Sequence, residues 1–221
     1  MPLQNRALPT GEIVAHPARG LFVGNRGKLH TPARVLGGRR WTTHGWVTCL
    51  LSFRGRHRQV MGNGWTELFF LDEAVALAAG HRPCAECRRA DYRRFQAAWQ
   101  KAHNEPPTAP TMNARLHADR LHAARLHADR VEGGRVAPGR AQRRHTARLG
   151  DLPDGCFILL NTGPALVAGG RLHPYDPAGY APPIAADPDR QITVLTPRCT
   201  VAALCAGYTP MLAPLLIPRT G

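Results

Sequence analysis

The feature that most constrains this chain is a pair of cysteines, Cys84 and Cys87, separated by two residues. A tight turn of this length aims both sulfurs at one point, so the pair can occupy two corners of a tetrahedral zinc site. Arg82 and Pro83 precede the pair, and an arginine-rich stretch follows it. We therefore predict a zinc knuckle that leads into a basic helix.

The residues on either side of the knuckle predict regular structure. Thr66–Leu71 is rich in apolar and aromatic residues, which favours a short strand. Asp72 is placed to cap a short helix, and Gly80 is placed to end that helix in a left-handed conformation. After the knuckle, aromatic residues recur at helical spacing and predict one buried helix face: Tyr92, Phe95 and Trp99.

The stretch from Trp65 to Trp99 resembles part of a known family, the N-terminal zinc domain of the Ada DNA methylphosphotriester repair proteins. In that family an aromatic strand leads into the pattern E-A-x-x-A-G-x-R-P-C-x-x-C. The matching residues here are Glu73, Ala74, Leu77, Ala78, Ala79, Gly80, Arg82, Pro83, Cys84 and Cys87. The resemblance extends over roughly Trp41–Phe95 and implies a small α+β zinc domain that binds DNA.

The segment before the knuckle predicts a β-hairpin. Trp41–Phe53 reads as a strand, Arg54-Gly55-Arg56 as its turn, and His57–Met61 as the returning strand. The resemblance implies that this hairpin carries the other metal ligands, where the family has two cysteines and uses one of them to accept a methyl group from DNA. This chain departs from the family because it has Cys49 but a phenylalanine at position 53.

The resemblance implies a four-residue metal site. Local similarity points to Cys49, and the family spacing counted back from Cys84 points to His57, with His44 as its substitute. The ligands that we predict for Zn²⁺ are Cys49, His57, Cys84 and Cys87. Cys49 is also the candidate reactive thiolate. The alternatives are a buried strand cysteine at position 49 and an exposed hairpin histidine at position 57.

Composition adds an expectation about partners. The chain has 221 residues and a net charge of +14, most of it from arginine, which favours a nucleic acid partner, most simply DNA. The alternative is a surface that is basic without function. The predicted phosphate contacts are Arg54, Arg56, Arg58, Arg82, Arg88 and Arg89.

Composition also bears on compartment. Met1–Pro9 lacks the features of a signal peptide, and no stretch approaches the roughly 18 apolar residues of a membrane span. We expect a cytoplasmic protein with no membrane partner, in which close cysteines bind metal rather than form disulfides. The remaining cysteines, Cys156, Cys199 and Cys205, are expected to be small buried residues.

The rest of the chain predicts further units. We expect a solvated basic arm over residues 1–40, the Ada-like zinc domain over 41–103, a linker region over 104–150, and a small α+β or β-rich unit over 151–221. The linker region comprises a proline-rich linker, a helical repeat over Ala114–Arg130 with Arg115–Asp119 as an ion pair, and a basic loop over Val131–Gly150. The repeated histidines His117, His122 and His127 do not share a helix face and predict no metal site.

The last unit predicts strands at Cys156–Leu160, Ala165–Ala168 and Ile192–Leu195 and a helix at Thr200–Ala206. Tyr175 and Tyr180 are expected in a rigid loop.

Two other activities use similar residues. A zinc nucleobase deaminase needs a His-x-Glu sequence before the cysteine pair, and none is present, which excludes that class. A metal-dependent nuclease is the alternative to the zinc-dependent DNA-binding protein, and it would use Glu67, Asp72 or Glu73 beside the knuckle.

Overall fold

The computed structural model describes residues 1–56, 59–120 and 143–215. Within these residues the protein is a mixed α+β structure with two β-sheets and four α-helices, which confirms the predicted class. The helices are α1 (Glu73–Ala78), α2 (Arg89–His103), α3 (Ala109–Arg120) and α4 (Arg198–Cys205). The finer prediction of an Ada-like domain stays a prediction.

The first sheet gathers short strands from the first half of the chain. Its strands among the described residues are β1 (Gln4–Ala7), β2 (Ile13–Ala15), β3 (Phe22–Asn25), β4 (Val47–Leu50), β5 (Leu68–Phe70) and β6 (Arg82–Pro83). Their order is β2-β1-β5-β3-β4-β6, and the β1–β5 and β4–β6 pairs are parallel. The predicted strand over Thr66–Leu71 is therefore confirmed as β5.

The solvated arm predicted over residues 1–40 is wrong for its first part, because three of these strands lie there. Phe22 is 2% exposed and pairs with both Phe70 and Leu50. The strands are only three or four residues long and lie between glycines and prolines. Strand β3 pairs with β4 and β5, and β1 pairs with β5 as well as with the nearby β2, so much of their pairing depends on partners far along the chain that local sequence does not indicate.

The predicted hairpin is also wrong in the described residues. Strand β4 pairs antiparallel with β3 and parallel with β6, so both of its hydrogen-bonding edges are occupied. Residues 59–61 form no strand, and the Gly62 N–H donates to the Gln59 carbonyl in a turn. His57 and Arg58 lie outside the described residues.

Helix α1 begins and ends as predicted. The Asp72 side chain accepts a hydrogen bond from the Val75 N–H at 2.9 Å, which caps the first turn. Gly80 follows the helix with a φ of +83°, a left-handed conformation that glycine adopts without steric cost. All six residues of α1 are buried, and the helix packs against β5 on one side and the second sheet on the other.

The second sheet comes from the second half of the chain. Its described strands are β7 (His145–Arg148), β8 (Phe157–Leu160), β9 (Gly163–Ala168), β10 (Arg171–Asp176), β11 (Gly179–Tyr180), β12 (Ile184–Ala185) and β13 (Gln191–Val194). They lie in the order β11-β10-β9-β8-β13-β7, with β12 also pairing with β10. Strands β8, β9 and β13 and helix α4 confirm the predicted elements.

Two predictions in this half are wrong. Tyr175 and Tyr180 pair with each other across β10 and β11 instead of lying in a rigid loop. His145–Arg148 pairs with β13 instead of belonging to a basic loop, and a 3-10 turn at Leu149–Asp151 follows it. The rest of that predicted loop, residues 131–142, lies outside the described residues.

Strands β8 and β9 are buried on both faces, which explains their continuous apolar sequence. Phe157 and Leu166 face a core shared with α1 and the first sheet. Their neighbours Ile158 and Val167 face a second core formed with α2, α3 and α4. The cores therefore draw on both sides of the predicted boundary at residue 151. The boundaries themselves stay predictions.

The helices of the second core show how the middle of the chain packs. Phe95 and Trp99 of α2 are fully buried and Tyr92 is half-buried, so the predicted aromatic face is confirmed. Helix α3 begins inside the predicted proline-rich linker. The predicted ion pair is wrong, because Arg115 contacts Glu105 at 3.2 Å and the Asp119 carboxylate accepts from the Cys199 N–H.

The remaining parts of the repeat, including His122 and His127, lie outside the described residues. Cys156 and Cys199 are buried as predicted, whereas Cys205 is exposed. Among the described helices, none has the length and apolar character needed to cross a bilayer.

Candidate metal centre

Three cysteine sulfurs meet at one end of the first sheet. The parallel register of β4 and β6 places Val47 beside Arg82 and Thr48 beside Pro83, so the next residues of the two strands are Cys49 and Cys84. The Cys84 N–H donates to the Thr48 carbonyl at 2.9 Å, which fixes this register. The sulfurs of Cys49, Cys84 and Cys87 all lie within 4.8 Å of one another.

A tight turn brings Cys87 back beside Cys84. The Glu86 N–H donates to the Cys84 sulfur at 3.4 Å, and the Arg88 N–H donates to the Cys84 carbonyl at 3.2 Å. Helix α2 starts directly afterwards, at Arg89. The turn therefore links the end of β6 to the first turn of α2, and its amides point at a sulfur as they do where a thiolate is stabilised.

The three thiols have pKa values that are shifted in different directions. Hydrogen bonds with the thiols of Cys49 and Cys87, and with the backbone of Cys87 and Glu86, lower the pKa of the Cys84 thiol. The same bond with Cys84 raises the pKa of Cys49, together with a bond to Cys87 and burial. The bond of Cys87 to Cys49 lowers its pKa, but its bond to Cys84 and its burial outweigh that effect and raise the pKa. The Glu86 N–H, which donates to the Cys84 sulfur, favours the thiolate form at this position.

The geometry of the cluster fits a soft metal ion. Tetrahedral Zn²⁺ holds sulfur at about 2.3 Å, which places the sulfurs about 3.8 Å apart. The three sulfurs of this cluster lie within 4.8 Å of one another, which is compatible with such a site, and each cysteine is half-buried. Zinc sites have four ligands when structural, or three and a water when reactive. Three thiols thus supply the protein ligands of an open site or all but one of a closed site.

The fourth predicted ligand is not among the described residues. His57 lies outside them, so its role stays a prediction. Its substitute, His44, lies apart from the cluster that the three cysteines form. The His44 ring stacks on the His117 ring with centroids 3.7 Å apart, which places it against α3. This contact argues against His44 as a ligand.

Three predicted phosphate contacts are exposed near the cysteines. Arg54 and Arg56 follow β4, and Arg89 opens α2. The Arg56 guanidinium forms an exposed ion pair with Glu86 of the cysteine turn at 2.8 Å. These side chains are free to reach a polyanion, since an exposed ion pair is worth little. Arg58 lies outside the described residues.

The prediction of phosphate contacts is wrong for Arg82 and Arg88, which are 4% and 3% exposed. The Arg82 Nε donates to the Asn113 side chain at 2.9 Å, and burial lowers the pKa of this guanidinium. The Arg88 Nη2 lies 2.9 Å from the Glu73 carboxylate. Burial lowers the pKa of Arg88, but the hydrogen bond and charge of Glu73 outweigh that effect and raise it.

The carboxylates considered for a nuclease are all buried and hydrogen-bonded within the protein. Glu67 accepts from the Met61 N–H at 2.7 Å. Asp72 accepts from Val75, from Ala213 and from the Tyr180 hydroxyl, the last at 2.7 Å. Burial raises the pKa of Asp72, and these hydrogen bonds oppose that rise.

Glu73 is buried and hydrogen-bonded in the same way. It accepts from the Tyr208 hydroxyl and from the Met211 N–H as well as pairing with Arg88. These carboxylates therefore hold α1 against the second half of the chain. The described part of the chain contains no group of three potential ligands that includes a carboxylate.

Sequence reasoning missed the surface beside the cysteines. Leu50 and Leu51, in the predicted strand Trp41–Phe53, are 40% and 54% exposed. Their position next to Cys49, a candidate ligand, was the available signal, because a strand that ends at the surface exposes its last residues.

Comparisons with known proteins add no neighbour to this geometry. No protein-family model, no curated protein and no solved structure matches the chain.

Proposed function

We propose that this protein binds zinc through Cys49, Cys84 and Cys87 and uses the surface around that centre to bind DNA. The convergence of three sulfurs within 4.8 Å, from segments far apart in the chain, is the observation that carries the proposal. Structural cysteines have no need to gather in this way. Three thiols at one half-buried point are the donor set that Zn²⁺ prefers.

The DNA part of the proposal rests on charge and on accessibility. The net charge of +14 favours a polyanion, and Arg54, Arg56 and Arg89 are exposed next to the metal centre. Arginine suits phosphate because its planar guanidinium donates two parallel hydrogen bonds. The resemblance to the Ada zinc domain supports the same partner. Such contacts set affinity and its salt dependence without reading base sequence.

His57 is the proposed fourth ligand, as the resemblance implies. Substituting Co²⁺ for zinc tests this point, since the visible absorption of cobalt reports ligand type and geometry. We expect a tetrahedral spectrum for the native protein and a changed spectrum, with retained binding, for His57→Ala. An unchanged spectrum would mean that another group, such as water, fills the position.

The primary experiment measures metal and DNA binding on the same preparations. We expect about one zinc per chain in the native protein and in Cys205→Ser, and none in Cys84→Ser. Cys205 is the matched control because it is an exposed cysteine outside the cluster. Absence of zinc from the native protein would overturn the proposal.

DNA binding is measured by fluorescence anisotropy at several salt concentrations. Each phosphate contact contributes about 0.9 to the slope of log K against log salt. We expect Arg54→Ala and Arg89→Ala to weaken binding and each to lower the slope by about one contact. Arg190→Ala, an exposed arginine in the second half of the chain, is the control.

Cys49 remains the candidate acceptor of a methyl group. In such a transfer the Cys49 sulfur forms a bond to the methyl carbon of a phosphotriester. The carbon–oxygen bond breaks, and the phosphodiester leaves with the electron pair. Intact mass after incubation with methylated DNA tests this step, and a gain of about 14 Da on Cys49 would establish it. A repair activity stays a prediction without that gain.

The nuclease alternative has no observation in its favour. Its predicted carboxylates are buried and hydrogen-bonded in the interior. Incubation with supercoiled plasmid and Mg²⁺ keeps the test simple, because nicking would establish a nuclease whatever the zinc content.

A further inference from the structure

The loop that follows Cys49 exposes apolar side chains on a strongly basic protein. We name residues 50–56, which are the last residue of β4 and the loop after it, the rim loop. Leu50 and Leu51 are 40% and 54% exposed, and they follow the cysteine directly. Leaving two adjacent leucines in water costs free energy that burial elsewhere would recover. Exposed apolar groups of this kind mark contact surfaces when they are grouped and rimmed by polar residues.

The rim loop begins at a fixed part of the structure. Cys49, which precedes it, belongs to the sulfur cluster. Leu50 is itself the last residue of β4 and pairs with Phe22 of β3. At the far end, Arg56 forms an exposed ion pair with Glu86 at 2.8 Å, which holds the loop only weakly and leaves the guanidinium able to contact phosphate. The leucines are thus presented from a fixed base rather than from a free loop.

The turn of the rim loop places positive charge beside the leucines. Arg54 and Gly55 have left-handed φ values of +52° and +64°, and the Arg56 N–H donates to the Phe53 carbonyl at 3.1 Å. The guanidinium carbons of Arg54 and Arg56 lie 5.0 Å and 5.7 Å from the centroid of the Phe53 ring. Both guanidiniums are therefore gathered over one aromatic ring, a few residues from the exposed leucines.

We propose that the rim loop inserts Leu50 and Leu51 between stacked bases of duplex DNA while Arg54 and Arg56 contact the flanking phosphates. This inference rests on the proposed DNA binding. Proteins that enter the minor groove use apolar wedges in this way, and neighbouring cations hold the backbone on either side. Leucine is one of the side chains that serve as wedges. The wedge would unstack a base step and bend the duplex, with no need for base-specific hydrogen bonds.

The small apolar area of the two leucines favours DNA over a lipid surface. Two leucines give less apolar burial than a single acyl chain, which by itself binds a membrane only marginally. Insertion of two leucines into a base step needs only a narrow apolar wedge with phosphate contacts beside it. The rim loop provides both.

Duplexes that carry 2-aminopurine at successive positions test the wedge, because this base gains fluorescence when it is unstacked. We expect the native zinc-loaded protein to raise the fluorescence of at least one duplex by roughly twofold or more. The double variant Leu50→Ser/Leu51→Ser abolishes this rise while its affinity keeps the native salt slope. Ile184→Ser, which changes an apolar residue 45% exposed on β12, leaves the rise unchanged.

Zinc content and circular dichroism confirm that each variant is folded, as expected for changes at exposed positions. A fluorescence rise retained by the double serine variant overturns the wedge. So does salt-dependent binding by the native protein without any rise, which leaves the DNA-binding proposal intact. Failure of the native protein to bind DNA at all removes both. Sedimentation with anionic vesicles that depends on the two leucines assigns the loop to a membrane surface and also overturns the wedge.

Discussion

The cysteine cluster and the carboxylates at the start of α1 differ in their burial and in how many hydrogen-bond partners their side chains already have. Cys49, Cys84 and Cys87 are half-buried and have mainly one another and a few backbone amides as partners. Asp72 and Glu73 are fully buried, and each accepts hydrogen bonds from several parts of the chain. Both groups were candidates for metal chemistry. The difference shows that residue type alone does not identify a candidate binding site. A candidate ligand also needs atoms without other partners and access from solvent, which the cysteines keep and the two carboxylates lack.

Metal removal should produce the largest effect on the first of these regions. Ligand binding to a metal that the unfolded chain does not hold contributes directly to folding, so we expect a chelator to lower the melting temperature by about 10 °C or more. Differential scanning calorimetry with and without chelator measures this. Cys84→Ser should reproduce the loss and no longer respond to chelator. An unchanged melting temperature would show that the cluster holds no stabilising metal.

The next largest effect on stability should come from breaking the buried ion pair between Arg88 and Glu73. Arg88→Met leaves the Glu73 carboxylate buried without its cation, and we expect a loss of about 3–5 kcal/mol in the free energy of unfolding. Chemical denaturation measures it. Adding Glu73→Gln should recover part of the loss, because glutamine is neutral and still accepts a hydrogen bond. The control is Arg94→Ala, whose exposed pair with Asp91 should cost less than about 1 kcal/mol.

Two tyrosines offer a matched test of the same network. The Tyr180 hydroxyl donates to Asp72, whereas the buried Tyr175 hydroxyl has no hydrogen-bond partner. We expect Tyr180→Phe to cost about 1.5–3 kcal/mol, the range for a bond to a charged group, and Tyr175→Phe to cost nothing or to stabilise. Equal effects in chemical denaturation would contradict the assignment of Asp72 to a structural role.

A buried histidine, His81, should make the folding stability of the protein depend on pH. Burial, and then the charges of Arg26 and Arg120, hold the pKa of His81 well below its usual value near 6.5. Below pH 6.5 the unfolded chain binds a proton that the folded chain does not bind. Stability is therefore full above about pH 6.5 and falls by about 1.4 kcal/mol per pH unit as the pH drops below that value.

The variant His81→Phe tests this expectation. The ring of His81 packs beside Trp46 and Phe70, so phenylalanine suits its surroundings. We expect the variant to lose less stability than the native protein between pH 7 and pH 5.5, in parallel denaturation series. Protonation of the cysteines affects both proteins alike, so the difference isolates the histidine. Identical pH profiles would contradict the prediction.

The parts of the fold that depend on local chemistry were predictable from sequence. The Asp72 cap, the left-handed Gly80 and the aromatic face of α2 each involve residues within a few positions of one another. The cysteine pair belongs to this group, because its spacing alone constrains a turn. The location of Cys49 beside the pair agrees with the expectation from the family resemblance.

The parts that depend on distant partners were not predictable in the same way. Arg88 was expected at the surface because it stands in a basic run, but its carboxylate partner lies in α1. Strand β4 reads as half of a hairpin, yet its neighbours are β3 and β6. A charge pattern gives the number of cations on a segment but not which of them meets a buried anion.

The parallel pairing of β4 with β6 has a consequence for the chain as a polymer. A metal held by Cys49 and Cys84 joins residues about 35 positions apart. By the loop-entropy relation used for disulfides, a cross-link of that span restricts the denatured ensemble by about 4 kcal/mol. In a reducing compartment, where a disulfide would not persist, zinc would act as a reversible staple. Cellular zinc supply would then set how much of the chain survives quality control.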